Sequence, residues 1–138
     1  MSAVRIESLT VQRDRICASV LVAPFARTTP QLAAYVLQAF PLIAQHACVN
    51  EKGNTFGLVV EDTPLPHLME HLVIDLQMRA EFEAAANGLT YIGTTEWLDE
   101  AQGKARIEVN FADDLVALRA FRDAANFLNE ARVLEKRF

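Results

Sequence analysis

The chain has 138 residues, 51% of them hydrophobic and 22% charged, which is the composition of one soluble globular domain spanning residues 1–138. Its net charge of −5 argues against a nucleic-acid groove or a polybasic membrane surface. No window reaches the apolar length that spans a bilayer, and the opening Met1-Ser2-Ala3-Val4-Arg5-Ile6-Glu7 lacks the pattern of a secretory signal. The two cysteines, Cys17 and Cys48, are too few for a disulfide framework, so a reducing cytoplasm is the expected location.

Residues 3–11 alternate, with Val4, Ile6, Leu9 and Val11 set against Arg5, Glu7 and Thr10, while Ser8 slips the phase. That pattern predicts a strand. After the polar break Gln12-Arg13-Asp14-Arg15, a β-branched run from Ile16 to Val22 predicts a second strand, and the two suit an antiparallel hairpin. Thr28-Thr29-Pro30 supplies a hydroxyl cap and a first-turn proline for a helix whose core face is Leu32, Val36, Leu37, Phe40 and Ile43. Pro41 predicts a kink or break in that helix. Glu51-Lys52-Gly53-Asn54 reads as a turn and Thr55 to Val60 as a short apolar strand or extended segment.

Thr63-Pro64 repeats the hydroxyl–proline opening for a second helix. Its apolar face, Leu65, Leu68, Met69, Leu72, Val73 and Leu76, is expected on the sheet, with the histidine face turned away and Asn87-Gly88 as the C-terminal cap. Leu89 to Leu98 and Ala105 to Phe111 predict two more strands around Gly103. Asp113 can cap a last helix with Leu115, Leu118, Phe121, Ala125 and Leu128 as its buried stripe. The order ββ-α-β-α-ββ-α makes an α+β fold, an antiparallel sheet with helices mainly on one face.

The second helix carries the chemistry. His67 and His71 are four residues apart and so project from one face, with Glu70 at its shoulder. His-x-x-Glu-His is the inverted zinc-hydrolase arrangement, with two imidazoles for a metal and a carboxylate to move a proton. The chain has only three histidines, so two at this spacing around a Glu stand out from a solvated helix face.

Phe40-Pro41-Leu42-Ile43-Ala44-Gln45-His46-Ala47-Cys48, then Gly53 and Phe56, then His67 through Gln77, resemble the N-terminal domain of cyanophycin synthetases. Thr95-Glu96-Trp97-Leu98-Asp99-Glu100 and the last Ala-rich helix fit the end of that domain, so the resemblance runs from about Leu32 to Asn129. Those synthetases continue into ATP-grasp and Mur-ligase-like domains. This chain carries no Gly-rich phosphate loop, so ATP-driven polymer synthesis is not expected of it. The family's glycine pair before the phenylalanine is Asn54-Thr55 here, and its Gly/Arg-rich segment is Ala84-Ala85-Ala86-Asn87-Gly88. The resemblance implies a metallopeptidase-like module that cuts the polymer and also holds it, with Cys48, His67 and His71 as metal ligands and Glu70 as the catalytic carboxylate.

Zinc held by two imidazoles and a thiolate keeps a position open for water and lowers its pKa to about 7, with Glu70 then serving as base and acid. Iron is the alternative metal. Read from the residues alone, Cys48 could equally be a small core residue, and His46, Glu96 and Glu108 are other candidates for the third ligand. His46 otherwise sits beside the ligands or the substrate, and Asp75, one turn past His71, could accept a histidine N–H. Gln77 reads as structural, Cys17 as core, Asp99-Glu100 as a solvated hairpin end, and Tyr91 and Trp97 as packing residues or a pocket border.

The leading expectation is a zinc-dependent hydrolase of a peptide or isopeptide bond, with a cyanophycin-like Asp/Arg peptide as first substrate by resemblance. A lyase similar to S-ribosylhomocysteine lyase is the second reading, although there the cysteine ligand follows the motif. A non-catalytic polymer- or protein-binding module is the third. A small domain of this kind could also complete its pocket as a homodimer.

Overall fold

The computed structural model describes residues 2–81 and 89–135. The expected Asn87-Gly88 cap and the Ala84–Gly88 substitution lie outside the described residues. Strands β1 (Val4–Val11) and β2 (Arg15–Val22) form the predicted hairpin, and the slip at Ser8 is a bulge: Ile6 faces Val20 while Ser8 faces Ser19. Helix α1 (Pro30–Ala39) opens on Thr29, whose side chain accepts from the Leu32 N–H at 3.1 Å. It breaks at Pro41, where a 3-10 turn carries the chain from Pro41 to Gln45 and still buries Phe40 and Ile43.

A small hairpin follows, β3 (Ala47–Asn50) and β4 (Gly53–Thr55), and then a 3-10 turn over Phe56–Leu58. The apolar run from Thr55 to Val60 is therefore no strand. Phe56, Val59 and Val60 are buried all the same, and a short buried run has no periodicity to tell the two apart. Helix α2 (Leu65–Ala80), strands β5 (Gly93–Asp99) and β6 (Lys104–Asn110) and helix α3 (Asp114–Glu135) complete the chain. Thr63 does not cap α2; Pro64 takes the cap position with no side-chain hydrogen bond. Asp113 does cap α3, accepting from the Leu115 N–H at 2.9 Å.

The main sheet has the order β1-β2-β6-β5, antiparallel throughout, and α2 and α3 pack on one face of it. The fold is α+β, as the element pattern predicts. That face is built by period-two alternation: Ile16, Ala18, Val20 and Val22 on β2 and Ala105, Ile107 and Val109 on β6 are all buried. Cys17 alternates with them on the opposite face, across from Glu108, and is only half-buried, so it is not part of the core. On α3 the stripe is mostly alanine, and Leu115, in the first turn, is 58% exposed instead of buried. Among the described residues no helix is long and apolar enough to cross a membrane.

Helix α2 is the centre of the packing. Leu68, Met69, Leu72 and Val73 are fully covered, as expected of its apolar face. The opposite side is covered as well: Glu70, His71, Asp75 and Gln77 are all buried. The histidine face does not look out to solvent but lies under the 41–58 segment and beside β5.

Gly103, between β5 and β6, has φ +73°, and a methyl group there would run into the Val22 carbonyl oxygen. Gly103→Ala is expected to destabilise the fold by about 2 kcal/mol or more, read as a lower urea midpoint, and an unchanged midpoint would contradict this placement.

Candidate metal centre

Four elements bring the polar residues together. His67, Glu70, His71 and Asp75 come from α2, His46 from the end of the 3-10 turn after Pro41, Cys48 from β3, and Gly93 and Thr95 from β5. The ligand atoms of Cys48, His67 and His71 all lie within 4.8 Å of one another. Cys48 Sγ is 3.4 Å from His67 Nε2. A tetrahedral zinc with S at about 2.3 Å and N at about 2.0–2.1 Å would set that separation near 3.6 Å, so this sulfur and nitrogen are spaced to share an ion.

His67 turns its Nε2 to Cys48, and the Nδ1 atoms of both His67 and His71 are engaged elsewhere, which leaves each ring its Nε2. Thr63 Oγ1 lies 2.9 Å from His67 Nδ1, one helical turn before it. His46 Nδ1 lies 3.0 Å from His71 Nδ1, and Asp75 Oδ1 is 3.5 Å from His46 Nε2. One tautomer set suits all of these contacts: His67 donates to Thr63, His71 donates to His46, and His46 turns its Nε2–H toward Asp75. The Nε2 of His71 is then a buried lone pair with no hydrogen-bond partner in the protein. Asp75 reaches His71 not directly but through His46, and Arg79 Nε lies 2.8 Å from its other oxygen.

Burial pushes His67 below its ordinary pKa, and burial together with the neighbouring His67 and His46 pushes His71 down to about 2. Both rings are therefore neutral and nucleophilic at physiological pH. With His71 uncharged, its 3.7 Å approach to Glu70 Oε2 is a dipolar contact and not a salt bridge. Burial raises the Cys48 thiol, so a cation that binds there must displace a proton. Glu70 is also raised by burial, with the Thr95 hydroxyl (donating to its Oε1 at 2.7 Å) and His46 working in the opposite direction. A carboxyl poised upward in pKa beside a metal site suits a proton carrier.

Two cavities meet at this cluster. The larger, about 620 Å³, is lined by Cys48, His67, Glu70, His71 and the stretch from Gly93 to Trp97. The second, about 570 Å³, lies on the other side of Glu70 and His71 and is bordered by His46, Tyr91 and Gly93. Trp97 and Tyr91 thus both border pockets. Glu96 and Glu108 do not join the cluster. They alternate with Thr95 and Ile107, and their carboxylates pair with arginines, Glu96 with Arg106 and Glu108 with Arg15. Gln77 is fully buried and donates to the Asn110 carbonyl oxygen at 3.3 Å, a structural role.

Some residues that shape the site do not announce themselves in the motif. Phe56 stacks on His71 with ring centroids 4.0 Å apart and meets His67 edge-on at 5.0 Å. Gly93 leaves room for the carboxylate: a Cβ there would lie 2.7–2.9 Å from the Glu70 side chain. Thr63 and Thr95 hold His67 and Glu70 from outside. The available signals were Phe56, one of the positions that carry the resemblance, and Gly93 inside a strand pattern, which marks close approach of another group.

No curated protein matches the chain significantly. A family model, that of the cyanophycin synthase-like N-terminal domain, matches residues 20–132, which include every residue of the cluster. The chain belongs to the cyanophycin synthase-like N-terminal domain family.

Proposed function

We propose that this domain is a zinc-dependent hydrolase of a peptide or isopeptide bond, with Cys48, His67 and His71 holding the metal and Glu70 carrying the proton. The observation that carries the reading is the unpartnered Nε2 of His71, buried 3.7 Å from a raised-pKa carboxylate at the wall of an open cavity. Zinc bound there would supply Lewis acidity toward a carbonyl and a water with pKa near 7. Glu70 takes a proton from the attacking water and returns it to the leaving nitrogen. Thr95 holds the Glu70 carboxylate in one orientation, and His46 with Asp75 fixes the ring of His71. The family makes a cyanophycin-like Asp/Arg peptide the first substrate to try.

Elemental analysis of untagged protein is expected to give about one zinc per chain, lost in both His67→Ala and Cys48→Ala. Iron in place of zinc would change the metal and keep the site. No metal after incubation with zinc would overturn the hydrolase reading and leave a binding module.

Glu70→Gln is expected to keep the metal and lower hydrolysis by about 10²-fold or more. Gly93→Ala should also lower hydrolysis, because the nearest atoms its new methyl meets are those of the Glu70 side chain. A fully active Glu70→Gln enzyme would remove Glu70 from the mechanism as described.

A further inference from the structure

Strand β5 lies at an edge of the main sheet, with β6 on one side and, among the described residues, no strand on the other. The Asn110 N–H donates to the Ile92 carbonyl oxygen at 3.1 Å, so at Ile92 the backbone polar groups point toward β6. Direction alternates along an antiparallel strand. The N–H and C=O groups of Gly93, Thr95 and Trp97 therefore point away from β6.

The larger cavity borders this strand. Every residue from Gly93 to Trp97 lines it, and so does every residue from Ala47 to Glu51 on the β3 side. The cavity is a slot between two stretches of extended chain, with His67, Glu70 and His71 in its wall. The opposite edge of the sheet is different. There β1 is bulged at mid-strand, between Ile6 and Ser8, and carries the Arg5–Glu7 ion pair, both devices that discourage pairing. On β5 the register stays regular from Gly93 to Trp97, and its irregularity comes only between Trp97 and Asp99, past the site.

We propose that the substrate is an extended, α-linked peptide that adds a strand to β5 through the backbone groups of Gly93, Thr95 and Trp97. The proposal rests on the hydrolase reading and selects a main-chain peptide over an isopeptide. Strand addition needs donors and acceptors repeating every second residue, and a chain that runs through a side-chain carboxyl breaks that repeat, whereas side-chain branches on an α-linked backbone leave it intact. Thr95 couples the two functions: its hydroxyl holds Glu70 while its backbone groups hold the substrate. A substrate amide registered on Thr95 then lies beside the proton carrier.

The test uses zinc-loaded, 15N-labelled full chain and N-acetyl tripeptide hydroxamates of alanine, aspartate and arginine, with acetohydroxamate as the metal-only probe. At least one tripeptide is expected to bind about tenfold tighter than acetohydroxamate, or better, from two or three added hydrogen bonds. Its binding should slow hydrogen exchange at the Gly93, Thr95 and Trp97 amides and leave Thr94 and Glu96 unchanged. N-methylation of the peptide should abolish the gain at alternate amides and spare those between. Tripeptides that bind no tighter than acetohydroxamate, or that show no alternation, overturn the added strand and leave the hydrolase reading standing. Failure of acetohydroxamate and all tripeptides to bind overturns the hydrolase reading and the strand with it.

Discussion

The polar face of α2 is under cover, and each of its nitrogen and oxygen atoms must find a partner inside the protein or carry a desolvation cost of about 1–3 kcal/mol. Most of them do. His67 Nδ1 finds Thr63, His71 Nδ1 finds His46, Glu70 finds Thr95 and Gln77 finds a backbone carbonyl. Gln77 Oε1 and His71 Nε2 find no hydrogen-bond partner, and His71 belongs to the group, among the described residues, in which a thiol and a second imidazole also converge. Everything placed around that point, from the broken helix at Pro41 to the small hairpin carrying Cys48, serves to hold it closed on one side and open on the other.

The division of labour among elements follows from this. The main sheet and α3 cover the apolar side of α2, which fixes the rotation of the helix and with it the direction of His67 and His71. The 41–58 segment is two 3-10 turns and a small hairpin outside the main sheet, and burial of Ile43 and Phe56 pins it to the core. Phe56 matters twice, as a core residue and as the ring against which His71 lies flat. Substitutions at Phe56 or Ile43 should therefore disturb the metal site without removing any ligand.

Much of this was legible in the sequence, and the reasons are specific. The bulge at Ser8, the Thr29 cap and the break at Pro41 were readable because each depends on local chemistry: a slipped alternation, a hydroxyl before proline, a missing N–H. The His-x-x-Glu-His face was readable because helical geometry alone sets which residues share a side. The burial of that face was not, because the cover comes from a separate segment, read as a broken helix, a turn and a short strand or extended run, and helical periodicity in α2 cannot say where that segment will lie. Cys17 and Cys48 show the same limit. For Cys17 only the sheet register shows the outer face, and for Cys48 the residues alone left a core position and a ligand position equally open until the structure set it beside His67. Thr63 was noticed for the wrong reason, as a cap, when its hydroxyl bonds the ring four residues ahead. Gly93 and Thr95 came from a strand predicted in roughly the right place, but nothing in one strand says which buried carboxylate it will meet.

The central claim is that one sulfur and two imidazole nitrogens share an ion beside Glu70. X-ray absorption at the zinc edge of the metal-loaded protein tests it most directly, since it counts ligands by type and distance. The account predicts one sulfur at about 2.3 Å and two histidine nitrogens at about 2.0–2.1 Å, with the remaining position filled by oxygen. A spectrum with no sulfur shell, or with nitrogen and oxygen alone, would contradict it.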